Sequence, residues 1–203
     1  MKYVNKVLAA LLVLAVFYLI YGVMNLRSEL FEVYDVPVQY TYAPGEEPDL
    51  VIVDFNKYGC KHCRITHPIL LEAIKRDGRA RYVPRTITYG QDWEKIVLSA
   101  VLASAEQGKF IEMHSMVNEK WPIASRQVLF NHAKELGIDT QKLSRDMTDP
   151  KLQARMEENH HFFEAWGLSR TPSILIDKKG IYVPKDTPVT VEDLLEKFEN
   201  ARS

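Results

Sequence analysis

The chain reads as one α/β domain with an inserted block of helices, preceded by a single N-terminal transmembrane helix. Three observations predict this. Residues 7–26 carry no charge and are mostly Leu, Val, Ala and aromatic. From residue 51 an apolar run, a helical pattern and a second strand pattern follow in turn, and strand, turn, strand and helix patterns close the chain. Between these two parts, over about residues 90–166, apolar residues recur at helical spacing. Strand–helix–strand at one end and hairpin–helix at the other are the pieces of a layered α/β domain.

The first element is justified by length. Twenty helical residues at 1.5 Å each span about 30 Å, the apolar thickness of a bilayer. Lys2 and Lys6 precede the run and favour a cytoplasmic N-terminus. Phe17, Tyr18 and Tyr21 fall towards its outer end, where amphipathic rings suit the interface. A cleaved leader needs a shorter apolar core and an Ala-x-Ala-like pair, and residues 21–27 offer none. The expectation is an uncleaved, single-pass anchor over residues 1–27 in the inner (cytoplasmic) membrane, with lipid as its partner. The remainder then lies in the periplasm or another extracytoplasmic space, where disulfides form and persist.

Residues 28–49 read as a proline-containing tether with a first short strand near 38–41. Residues 50–203 are long enough for one domain with a real core. A buried strand is expected at 51–55 and a helix at 61–75, with Ile65, Ile69, Leu70, Ala73 and Ile74 on one face and Pro68 kinking it. A second strand follows at 81–88. Trp93, Ile96, Val97, Ala100, Val101 and Ala105 make the apolar face of the next helix. Shorter helices are expected at 110–117, 125–136, 140–147 and 150–166, punctuated by Gly108, Pro122, Gly137 and Asp149-Pro150. Strands return at 173–176 and 181–183 around the turn 177–180. Thr190, with Asp193 three residues on, caps a last helix to Phe198. The balance of 26 basic and 27 acidic residues, without a basic run, argues against a nucleic-acid partner.

The two cysteines, Cys60 and Cys63, stand in Cys60-Lys61-His62-Cys63 directly after the first strand. A disulfide between them closes a very small loop and restrains little of the unfolded chain, so it suits a bond that is made and broken. Structural zinc needs four ligands, commonly from a second pair, and no second pair exists. Haem attachment needs His after the second cysteine, where Arg64 stands. Two unrelated core cysteines remain the bland alternative. His67, His114, His132, His160 and His161 share no ligand spacing and read as surface or helix-packing residues, and Trp93, Trp121 and Trp166 as packing residues. No metal site and no organic cofactor is expected.

Four segments together resemble the DsbA-like branch of the thioredoxin superfamily. They are Val53-Asp54-Phe55-Asn56-Lys57-Tyr58-Gly59-Cys60-Lys61-His62-Cys63, Pro68 eight residues after Cys60, the stretch from Ala100 to Phe110, and Trp166-Gly167-Leu168-Ser169-Arg170-Thr171-Pro172-Ser173-Ile174-Leu175-Ile176. The resemblance runs from Val51 to the C-terminus. It implies a thioredoxin-like fold with a helical subdomain and a protein thiol–disulfide oxidoreductase. Lys61 departs from the proline often found after the first cysteine, and residues 184–188 lack a glycine often found there.

Within that resemblance Cys60 attacks and Cys63 resolves. Cys60 should sit at a helix N-terminus, where unpaired N–H groups and the helix dipole stabilise a thiolate, with Lys61 and His62 adding positive charge. Asp54, six residues before Cys60, is expected buried with a raised pKa and is implied to move a proton for Cys63. Thr171 and Pro172 are implied to form the cis-proline loop that meets an extended substrate. The implied partners are exported proteins with cysteines and a membrane or soluble redox partner. An isomerase or reductase of the same fold is the alternative within this chemistry, although residues 30–49 look short for a dimerisation region. A redox-inactive metal- or client-binding protein is the alternative outside it.

Overall fold

The computed structural model describes residues 2–90, 92–184 and 189–203, leaving aside the side chains of residues 2, 4, 5, 7–10, 25–27, 29 and 178. The chain separates into two compact units, Met1–Asp35 and Val36–Ser203. The first holds helix α1 (Lys2–Phe31) and a 3-10 turn at Glu32–Tyr34. The helix continues past residue 26 because no proline or glycine follows in its last turn. From Leu11 to Met24 its side chains are exposed. Among the described residues no helix is long and apolar enough to cross a membrane. The expected span over 7–26 includes side chains at 7–10, 25 and 26 that lie outside the described residues.

In the second unit a four-stranded sheet runs in the order β2-β1-β3-β4. Its strands are β1 (Leu50–Asn56), β2 (Ala80–Thr86), β3 (Ser173–Ile176) and β4 (Gly180–Tyr182). Strands β1 and β2 are parallel, joined through α2 (Lys61–Asp77), while β3 is antiparallel to both β1 and β4. Between β2 and β3 lie α3 (Asp92–Ala103), α4 (Phe110–Lys120), α5 (Arg126–Glu135), α6 (Thr140–Asp146) and α7 (Pro150–Ala165). Helix α8 (Val191–Arg202) ends the chain, with the capping box of Thr190 and Asp193 formed in both directions. Residues 185–188, where the absent glycine was noted, lie outside the described residues.

One expected strand does not form. Residues Val38–Tyr40 make a 3-10 turn, and Tyr42 alone pairs, in an isolated antiparallel bridge to Tyr82. Pro37 and Pro44 bracket the stretch and remove the N–H groups a ladder would use. Tyr82 turns both its N–H and its carbonyl to Tyr42, at 2.7 and 2.9 Å, on the outer edge of β2. Pro84, two residues on, presents its missing N–H to that same edge, which is where a strand tolerates proline.

Strand periodicity divides the core. Leu50, Ile52, Tyr82, Ile174 and Ile176 face α2 and α8, against Leu70, Ala73, Ile74, Leu194 and Phe198. Full burial of each such Leu, Ile or Phe side chain stabilises by roughly 1.5–3 kcal/mol. On the opposite face Phe55 meets Phe163 of α7 at 5.8 Å between ring centroids. Arg85, fully buried in β2, donates to Asn159 and lies over the Phe162 ring. Gly78 stops α2 in a left-handed conformation, φ 74°, and its carbonyl lies where a Cβ on Gly45 would come within 2.4 Å. Arg202 of α8 grips Asp77 at the end of α2 through two bonds of 2.7 and 2.8 Å. Those contacts hold α2, and the cysteines at its start, against the sheet.

Candidate active site

Cys60 is the N-cap of α2. Its sulfur stands where Ser, Thr or Asp usually does, accepting the Cys63 backbone N–H at 3.2 Å. A turn from Lys57, closed by the Cys60 N–H on the Lys57 carbonyl at 3.0 Å, aims it there. Cys60 is half-buried, and Cys63, one turn further in, is 2% exposed; both are free thiols. Lys61 and His62 are exposed on the first turn.

The loop before β3 closes the other side. The Thr171-Pro172 peptide is cis, as the resemblance implied, and Pro172 is buried. As a thiol, Cys60 donates to the Thr171 carbonyl at 3.4 Å. The Cys60 pKa falls from an ordinary 9.0 to about 5. The hydrogen bond from the Cys63 thiol contributes most, opposed by burial, and the Thr171 side chain and the N–H groups of Cys63 and His62 add to the lowering. His62 therefore acts through its backbone, where the sequence pointed to its ring. The same thiol bond, with burial and the nearby Asp54 carboxylate, pushes the Cys63 pKa well up. One sulfur is a thiolate at neutral pH and the other is its proton-bearing neighbour.

Asp54 sits on β1 beneath them, 3% exposed, and burial raises its pKa from 3.8 to about 6. Its Oδ2 accepts from Tyr82 Oη at 2.9 Å and from Asn56 Nδ2 at 3.1 Å, while Oδ1 has no hydrogen-bond partner. Asn56 is fixed in turn by the Thr86 hydroxyl at 2.9 Å.

Beneath the cysteines lies a group that sequence reasoning missed. His67 of α2 and His114 of α4 were expected at the surface or in ordinary helix packing. They are buried together, edge to face at 4.9 Å between centroids, beside Tyr58 and Tyr82. Tyr58 bonds His114 Nδ1 at 3.0 Å and stacks on Trp121. Burial lowers the His67 pKa to about 4 and, with His67 beside it, holds that of His114 well below its ordinary 6.5, so both rings are neutral at physiological pH. The available signal was positional: His67 is four residues after Cys63 and shares its face with Leu70 and Ile74, and His114 lies among Phe110, Met113 and Val117. Among the described residues no three His, Cys, Asp or Glu side chains come together as a metal ligand set.

The fold is matched elsewhere. A family model described as Thioredoxin covers residues 42–199. A thioredoxin-like oxidoreductase from Silicibacter pomeroyi is 26% identical, with a TM-score of 0.73 over 87% of this chain and 97% of that one. The thiol-disulfide exchange protein α-DsbA2 from Wolbachia pipientis shares the fold at 17% identity, TM-score 0.75, over 87% and 94% of the two chains. A periplasmic thioredoxin-like protein from Salmonella enterica serovar Typhimurium does so at 14%, TM-score 0.71, over 85% and 95%. The curated relatives include the Na(+)/H(+) antiporter NhaA 3 of Salinispora tropica, 22% identical over 161 residues and 78% of this chain. The chain spans about a quarter of that relative, 24% of its length. With the cysteine pair capping α2, the cis-proline loop facing it and helices inserted between β2 and β3, the chain belongs to the thioredoxin family.

Proposed function

We propose that this protein is a membrane-anchored thiol–disulfide oxidoreductase that introduces disulfides into exported proteins. The observation that carries the reading is the Cys60 sulfur held as helix cap, with its pKa at about 5 beside a buried second thiol. A thiolate so stabilised is a good leaving group and a poor partner for a disulfide, so the dithiol form is favoured and electrons flow in from the client.

In the forward direction a client thiolate attacks Cys60 Sγ of the Cys60–Cys63 disulfide. A client–Cys60 bond forms, the Cys60–Cys63 bond breaks, and its electron pair leaves on Cys63, which takes a proton from the Asp54 carboxyl. A second client thiolate then attacks the client sulfur of the mixed disulfide. The client disulfide forms and Cys60 departs as thiolate. The client loses two electrons and the cysteine pair gains them. Thr171 and Pro172 line the place where the client backbone would lie, and Lys61 and His62 border it.

The apolar N-terminal run supports anchoring in the inner membrane with the catalytic unit outside the cytoplasm. The periplasmic Salmonella protein of the same fold is consistent with that compartment. The test is equilibration of the full chain with glutathione, together with oxidation of a reduced peptide bearing two cysteines. The disulfide form should oxidise the peptide to completion at equimolar ratio. A peptide that stays reduced, with the protein resting as disulfide, would reverse the direction and make it a reductase.

A further inference from the structure

Asp54 and Cys63 are both sealed from water, so a proton moved between them has to be replaced through the protein. The donors beneath them align in one direction. Asn118 Nδ2 donates to the His114 carbonyl at 3.0 Å and lies 3.3 Å from His114 Nε2, so that nitrogen is an acceptor. His114 therefore carries its proton on Nδ1, facing the Tyr58 hydroxyl at 3.0 Å. Tyr82 donates to Asp54 Oδ2, and among the described residues the donor left to its oxygen is His67 Nδ1 at 3.4 Å, since the other ring nitrogen near it, His114 Nε2 at 3.4 Å, bears no hydrogen. With a proton on Nδ1, His67 has Nε2 free to accept from Ser115 Oγ at 3.0 Å, and Ser115 is half-buried midway along α4.

We propose that Ser115, His67 and Tyr82 form the proton route between solvent and Asp54, with His114 and Asn118 as the positioning residues that fix its direction. The proposal rests on the disulfide-exchange reading above. When the Cys60–Cys63 bond breaks, Cys63 Sγ takes the Asp54 proton. The carboxylate takes the Tyr82 proton as Tyr82 takes that of His67 Nδ1, and Nε2 takes that of Ser115, which water replaces. The chain ends neutral, with His67 in its other tautomer. In the opposite direction Cys63 gives its proton to Asp54 before attacking a mixed disulfide, and the same atoms pass a proton outward.

The titratable groups in contact with His67 are Tyr82 on β2 and His114 on α4. Neutral imidazoles suit the task, since a ring with one proton and one free nitrogen can exchange tautomers without placing a charge in the core. The Asp54 Oδ1 atom, without a partner, is the acceptor left over for the cysteine side.

The test is the rate of the Cys63-dependent step in the full chain, read as reduction by dithiothreitol and reoxidation by oxidised glutathione across neutral pH, in water and in D2O. His67→Gln keeps volume and polarity but cannot exchange tautomers, and Ser115→Ala removes the outer hydroxyl. Each should slow that step about tenfold, below the full effect of a positioned acid or base, and raise its solvent isotope effect. Ser115→Thr, which returns the hydroxyl, should recover the rate. Unslowed variants with unchanged isotope effects, in a protein that exchanges normally, overturn the relay alone. An unaltered chain that does not exchange overturns the oxidoreductase reading and the relay with it. If His67→Gln does not fold, Ser115→Ala and Ser115→Thr decide the matter.

Discussion

Oxidised and reduced protein should diverge in stability as pH rises, and the divergence measures the Cys60 thiolate. In the reduced protein the folded Cys60 ionises near pH 5 and an ordinary thiol near 9.0. Between those values the unfolded chain holds one more proton at this site than the folded one. Unfolding free energy then increases with pH by about 1.4 kcal/mol per unit. The gain is absent below the folded pKa, accumulates through the window and is complete above the unfolded one. At pH 7, halfway between about 5 and 9.0, it reaches about 2.7 kcal/mol in the unscreened limit. Water at the half-buried sulfur shortens the window, leaving about half of that, equivalent to roughly 30 mV for a two-electron couple. The disulfide form has no thiol to ionise, so subtraction leaves the Cys60 titration together with the small part of the Asp54 shift that the Cys60 thiolate causes. Above pH 9.0 the trend reverses, because burial and its thiol bond keep Cys63 protonated only in the folded state. Urea unfolding of both forms at a series of pH values gives the difference. A difference that is flat, or falls, between about pH 5 and pH 9 would refute the cap-stabilised thiolate.

Three further outcomes follow from the same geometry. Cys63→Ala should accumulate mixed disulfides with clients and raise the Cys60 pKa, read by ultraviolet thiolate absorbance, because the Cys63 thiol is its leading stabiliser; trapping by Cys60→Ala instead would exchange the two roles. Asp54 has a raised pKa, so its burial costs nothing below its unfolded value of 3.8 and destabilises as pH climbs through about 6. Asp54→Asn should therefore stabilise by about 3 kcal/mol at neutral pH and little near pH 4, while slowing reduction of the protein. Equal denaturation midpoints for the Asp54→Asn variant and the unaltered protein at pH 7 would remove burial as the cause. The full chain should resist alkaline carbonate extraction from membranes, and a soluble mature form starting near residue 25 would end the anchor proposal.

Much of the scaffold was legible because its signals are local. The capping box of Thr190 and Asp193, the Asp149-Pro150 helix start and the left-handed Gly108 and Gly137 each follow from chemistry within one turn. The failure at 38–41 is of another kind. A strand needs a neighbour with free N–H and carbonyl groups, and the prolines around this stretch leave a bridge at Tyr42 alone. Nothing within residues 38–41 states what lies beside them. The Trp121-Pro122 peptide, also cis, carried no such mark in the sequence either.

The active site divides along the same line. The spacing of Cys60 and Cys63 on a helix that begins at Lys61, and the parity that turns Asp54 to the same side of the sheet as Ile52, are properties of neighbouring residues and could be read without coordinates. Which charges count could not. Lys61 and His62 are adjacent in sequence yet exposed, whereas the Thr171 side chain, far along the chain, reaches the sulfur. The buried polar cluster was hidden for the same reason. Asp54, His67, Tyr82 and His114 come from β1, α2, β2 and α4, and each alone looks like a polar residue on an apolar face. Only packing those four elements together removes the water and leaves the side chains to pair with one another and with Asn56, Tyr58, Ser115 and Asn118 around them, because a buried polar group without a partner is too costly to keep.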